Sequence, residues 1–178
     1  MSETPSANEA LCLRALQESD RDRYLASLLT PADRRAAIVA LYAYNAELAR
    51  VRDVVREPLP GEVRLQYWRD LLEGSAHGET AANPVAAELL RAVQTWRLPV
   101  APLVAMADAR IFDLYDDPME TTAMFEGYAG ETAAALIQLS SLVLDVEAAE
   151  AVSEIAGHAG VALAVAGAIL LMPIHRAR

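Results

Sequence analysis

The stretch Thr30–Val55, TPADRRAAIVALYAYNAELARVRDVV, constrains this chain most. Apolar residues recur at Ala37, Leu41, Tyr44, Leu48, Val51 and Val55, at intervals of four, three, four, three and four. That period marks one buried face on a long helix, so the chain needs other elements around a central core helix. Thr30 is placed to cap its first amides, Pro31 suits the first helical position, and Asp33 sets a carboxylate at the positive end. The helix is expected to end by Pro58.

The rest of the chain follows the same pattern. Alanine and leucine dominate, prolines and glycines fall between periodic segments, and no repeat or low-complexity tract is present; the composition predicts an all-α fold. A length of 178 residues suits a single core. The expected division is an N-terminal segment, 1–18, carrying a short helix over Ala10–Gln17, and a helical domain over 19–178. Ser19 or Asp20 would cap a second helix that turns Tyr24, Leu25, Leu28 and Leu29 inward. A loop holding Pro58, Pro60 and Gly61 would lead into a helix over Arg64–Glu73, with Leu65, Trp68 and Leu72 on its buried stripe.

Gly74–Asn83 reads as a loop whose His77 is solvated. Asn83 and Pro84 form a cap and first-turn pair for a helix to Trp96 that buries Val85, Leu89, Leu90 and Val93. Pro99 and Pro102 open the next helix, expected to reach about Tyr115. Asp113 and Asp117 have the spacing of paired metal ligands, but with Asp108 and Asp116 they read as solvated charges before a turn at Pro118. A long helix over Thr121–Leu144 would face Phe125, Tyr128, Leu136, Leu139 and Val143 to the core. From Ala159 to Ile174 no side chain is polar. That run is shorter than the roughly 20 residues that cross a bilayer, so it is expected as a buried central helix rather than an anchor.

Charge and motifs exclude several functions. A net charge of −10 opposes nonspecific nucleic-acid binding, although the arginines cluster from Arg14 to Arg69. The lone Cys12 excludes an internal disulfide and suits a reducing cytoplasm. Met1–Ala7 has neither the basic start nor the apolar core of a secretory signal. Phosphate-loop, dinucleotide, nucleophile-elbow, zinc-protease and CxxC motifs are absent, and His77, His158 and His175 lack ligand spacing.

The runs ALYAYNAELARVRDVV (Ala40–Val55) and RLQYWRDLLEG (Arg64–Gly74) resemble the squalene/phytoene synthase family, as do RDRYLASLL (Arg21–Leu29) and FEGYAGETAAALIQL (Phe125–Leu139). The resemblance implies an all-α terpenoid-synthase-like bundle, here stopping before the family's C-terminal helices, with an apolar face left uncovered. It also implies head-to-head joining of prenyl diphosphates on magnesium ions held by two acidic motifs. The first is a DxxxD pattern, and in register this chain reads Ala49, Arg50, Val51, Arg52, Asp53, keeping only the last aspartate. The second would fall in Gly160–Arg178, which contains no acid.

AYNAELARVRD (Ala43–Asp53), with the terminal LLMPIHRAR, is more similar to the family's non-catalytic branch that acts in respiratory complex I assembly. The resemblance therefore implies an assembly protein or a lipid- or prenyl-binding scaffold, needing no metal or cofactor and binding no nucleic acid. Its partners would be respiratory-complex subunits or a membrane surface, with the protein cytoplasmic or peripheral at the inner membrane. The ligand-facing residues it implies are Tyr42, Asn45, Glu47, Arg50, Asp53, Arg64, Trp68 and Tyr128. The alternative is a magnesium-dependent prenyl transferase in which Glu47, Asp53, Asp108 and Asp113 replace the missing acids.

Overall fold

The computed structural model describes residues 5–75, 82–115 and 117–175, with side chains to Pro173. The described residues are helical throughout: α1 (Ala7–Ser19), α2 (Arg21–Leu28), α3 (Ala32–Val54), α4 (Pro58–Leu72), α5 (Pro84–Trp96), α6 (Val100–Ala109), a 3₁₀ turn (Phe112–Leu114), α7 (Thr122–Ala129), a π turn (Gly130–Ala134), α8 (Ala135–Leu144), α9 (Val146–Ala151) and α10 (Ser153–His175). The expected long helix over Thr121–Leu144 is thus interrupted by the π turn. His77 and Asp116 lie outside the described residues.

α3 is the axis. Ala37, Leu41, Tyr44, Leu48 and Val51 are buried as their spacing predicts, and α1, α5, α4 and α8 pack around them. Its cap differs from expectation. Pro31 occupies the N-cap, no side chain caps the helix, and the Thr30 hydroxyl instead donates back to the Ala26 carbonyl.

α1 is longer than the sequence reading because Ser6 and Glu9 form a reciprocal capping box, each side chain accepting from the other residue's backbone amide. α1 packs on α3 and α5. There Arg91 bridges Glu9 and the buried Glu88, so a carboxylate within the packed interface keeps a charged partner.

Cys12, buried at this junction, has its thiol pushed up to about 11, chiefly by burial and then by Glu88 and Glu9. Because the folded value is raised, the protonated thiol's contribution is present below the unfolded value near 9.0 and lost as pH rises through about 11. Cys12 is therefore expected to react with a thiol-specific disulfide reagent at pH 8 only at the rate of local opening. Immediate stoichiometric labelling of folded protein would contradict its burial.

Three further expectations are corrected. On α2 the buried residue is Ser27, with Tyr24 half-buried, whereas Leu25, Leu28 and Leu29 are exposed, Leu29 to 88%. Tyr24 and Ser27 form the packing stripe, and those leucines lie off it. Pro58 and Pro60 do not form a loop but lie in the first turn of α4, where their missing amides cost nothing. Gly61 in that turn meets Leu114, whose Cδ2 would lie 2.6 Å from an added Cβ. After Ala109 the helix tightens into the 3₁₀ turn rather than continuing to Tyr115.

α10 is not the buried central helix expected. Within it only Ala156 and Gly160 are buried among the residues described to Pro173, while Ile169 and Leu170 are 59% and 78% exposed. Gly160 packs directly on Ala134 of the π turn; a Cβ there would lie 2.4 Å from Ala134 Cα. One side of α10's first half is fixed to the body. The rest is apolar and open to solvent among the described residues, which overturns the buried central helix. Its composition mimics a core helix, but no other described element encloses it.

Candidate functional site

A cleft of about 430 Å³ opens between the C-terminal half of α3, α4 and the start of α5, lined by Glu47, Arg50, Val51, Val54, Arg64, Tyr67, Trp68 and Asn83. Trp68 forms its buried wall, held edge-on by Tyr44 at 5.2 Å and by Tyr67 at 5.3 Å between ring centroids. Asn83 fixes the far side: its Oδ1 accepts from the Val85 and Ala86 amides as the α5 cap, and its Nδ2 lies 3.5 Å from the Tyr67 hydroxyl. Arg50 reaches Glu47 at 3.9 Å, beyond hydrogen-bond length, and both are solvated, so this pair is weak. Arg64 lines the cleft, is exposed and makes no ion pair among the described residues.

Of the expected ligand-facing residues, Glu47, Arg50, Arg64 and Trp68 meet here. The other four do not line the cleft. Tyr42 lies beneath the Arg23 guanidinium at 5.9 Å, and Asn45 is buried. Asp53 is exposed on another face of α3. Tyr128 is engaged elsewhere: its hydroxyl donates to Asp113 at 2.9 Å and accepts from Arg110 at 2.6 Å. Tyr67 and Asn83 were not foreseen as cleft residues. The only sequence signal for either was the Asn-Pro cap.

On α3 the residues Tyr42, Ala46, Ala49 and Asp53 follow intervals of four, three and four, forming a stripe turned roughly a third of a turn from Glu47, Arg50, Val51 and Val54. The position of the first acidic motif and the cleft are therefore separate faces.

The acids proposed to replace that motif are dispersed. Asp108 pairs with Arg69, which also binds Gln66 on the side of α4 facing α6. Asp113 belongs to the Arg110–Tyr128 cluster, and so is not the simple solvated charge expected. Glu47 alone lies in the cleft. Among the described residues, no three histidine, cysteine or acidic side chains are grouped where they could hold a metal ion.

The squalene/phytoene synthase family model matches residues 16–178. The chain belongs to the squalene/phytoene synthase family. It is 34% identical over 167 residues to the human protein called NADH dehydrogenase (ubiquinone) complex I, assembly factor 6, covering 94% of this chain and 50% of that protein. It is also 26% identical over 137 residues to the 15-cis-phytoene synthase of Synechocystis, covering 77% of this chain and 40% of the synthase.

Among solved structures, a dehydrosqualene synthase crystallised with a ligand superposes with a TM-score of 0.70, at 20% identity, over 87% of this chain and 53% of that one. That likeness shows the shared helical fold. The chain spans about half the length of the curated relatives it matches.

The magnesium chemistry of the family's synthases needs hard oxygen ligands converging from two walls. In the register that the resemblance implies, the first wall would hold Ala49 and Asp53, and α10 carries no acid from Ala159 to Ile174. Among the described residues no such converging set of carboxylates is formed.

Proposed function

We propose that this protein is a non-catalytic member of the family that acts in respiratory complex I assembly, binding a partner at the face of the inner membrane from the cytoplasmic side. One observation carries the reading: α10, where the resemblance would put the second acidic motif, has no acid from Ala159 to Ile174 and is apolar and largely open to solvent among the described residues. Exposed leucine and isoleucine on one long helix serve association rather than metal binding. The similarity to assembly factor 6 supplies the partner's class. Ser153–Pro173 is also, by length and composition, the one stretch among the described residues apolar enough to cross a membrane. Its first half packs on the π turn, which favours a helix docked at a membrane-bound complex over a free span. The reading requires no cofactor.

Affinity capture from membranes of the native host tests it. Respiratory complex I subunits should be enriched several-fold over an untagged control, and replacing Ile169 and Leu170 with Ser should remove that enrichment without unfolding the body. Subunits no more abundant than in the control would contradict the reading.

A further inference from the structure

All 15 basic residues of this chain are arginine, and several are paired within the body, as Arg23 is with Asp20, Arg69 with Asp108 and Arg91 with Glu88. The cleft differs, because Arg50 has only its loose contact to Glu47 and Arg64 has no ion pair among the described residues. Two guanidinium groups opening on one concave site match the oxygens of a phosphate, for which the planar arginine fork is better suited than an ammonium.

The surroundings of the cleft indicate where that phosphate comes from. Leu59, Val63 and Tyr67 repeat at intervals of four on α4, which places them on one stripe leading into the cleft. Leu59 and Val63 are 70% and 64% exposed, and Val54, which lines the cleft from α3, is exposed as well. Exposed apolar side chains on the same helix as a cleft lined by aromatic rings and two arginines combine the chemistry of a bilayer interface, where acyl boundary and headgroup phosphates lie together. Glu47 adds an acceptor at 3.9 Å from Arg50. It suits a phosphodiester whose outer end carries a hydrogen-bond donor and repels a bare carboxylate.

We infer that the α3–α4 edge docks on a lipid bilayer, with a headgroup phosphodiester held between Arg50 and Arg64 and Val54, Leu59 and Val63 entering the acyl boundary. This rests on the reading of a binding protein at a membrane face. It places the headgroup contact off the Tyr42–Asp53 stripe, where the acidic motif of the synthases would stand. The body's negative charge opposes an anionic membrane, so the contact depends on these two arginines.

The test is partitioning of the full chain onto phosphatidylcholine vesicles with and without phosphatidylglycerol. Because α10 attracts any bilayer, the readout is the ratio between the two vesicle types. The wild type should favour phosphatidylglycerol, and a double Arg50→Gln, Arg64→Gln variant should lower the ratio on the order of tenfold. Arg14→Gln, at an exposed position on α1, should leave it unchanged. Far-UV circular dichroism establishes that each variant is folded. An unchanged ratio in the double variant, or an equal fall with Arg14→Gln, overturns the inference. Binding of soluble glycerol phosphate that is lost in the double variant, with a vesicle ratio the double variant leaves unchanged, would retain the arginine–phosphate contact and overturn the bilayer as its source. Capture of complex I subunits with no vesicle preference sinks the headgroup site alone, whereas vesicle preference without capture sinks the partner reading alone.

Discussion

Tyr44→Ala should cost about 4 kcal/mol, close to the full stability of a small domain. The ring is completely buried on α3, meets Trp68 edge-on at 5.2 Å, and donates its hydroxyl to the Leu103 carbonyl at 2.8 Å. Truncation leaves a ring-sized cavity at the junction of α3, α4 and α6 and an unpaired carbonyl beside it. Burial raises the phenol well above its ordinary ionisation range, so the hydroxyl remains a donor across any working pH. Tyr44→Phe removes only the hydrogen bond and should cost about 1 kcal/mol. Urea unfolding of the two variants separates packing from hydrogen bonding. A Tyr44→Ala loss below that expected for Tyr44→Phe would show that α3 is not the axis of the core.

Gly160→Val should cost about 3 kcal/mol, read as a lower melting temperature together with rapid proteolysis near Val152. The reason is local. Even a bare Cβ at 160 would lie 2.4 Å from both the backbone nitrogen and Cα of Ala134, and backbone cannot move aside as a side-chain tip can. α10 must therefore lift off the π turn. Gly167, seven residues on along the same helix, has nothing within 4 Å of its added Cβ, so Gly167→Ala should be neutral or stabilise by up to about 1 kcal/mol. Equal effects at the two glycines would mean that α10 does not pack as described.

The contrast between α3 and α10 shows what was legible in the chain. On α3, polar and apolar residues alternate with the helical period, so the sequence itself identified Leu41, Tyr44 and Leu48 as inward-facing. On α10 apolar residues surround the helix, and a period that does not exist cannot distinguish a helix enclosed by protein from one left open. α2 failed for a related reason: its two turns contain more leucine than its packing face accepts, and Ser27 takes the buried position while its hydroxyl donates to the Tyr24 carbonyl at 2.7 Å.

The candidate site was half legible. Glu47, Arg50, Arg64 and Trp68 were identified through the resemblance, and α3 and α4 bring them together. Tyr67 and Asn83 were missed because their places depend on how the α5 cap meets α4, a long-range contact with no local pattern. Tyr128 was expected to face a ligand but is held by Arg110 and Asp113, partners that become adjacent only through the 3₁₀ turn. The π turn at Gly130–Ala134 likewise had no signal, since its residues suit an α-helix equally well.

On the reading proposed above, this fold is retained without metal-dependent prenyl transfer. That reading is tested most directly by incubating the purified chain with geranylgeranyl diphosphate and magnesium and measuring diphosphate release, beside an active synthase and an Asp53→Ala variant. No release above the no-protein control, and no difference between wild type and Asp53→Ala, is the predicted result. Turnover comparable to the synthase that disappears in Asp53→Ala would contradict it.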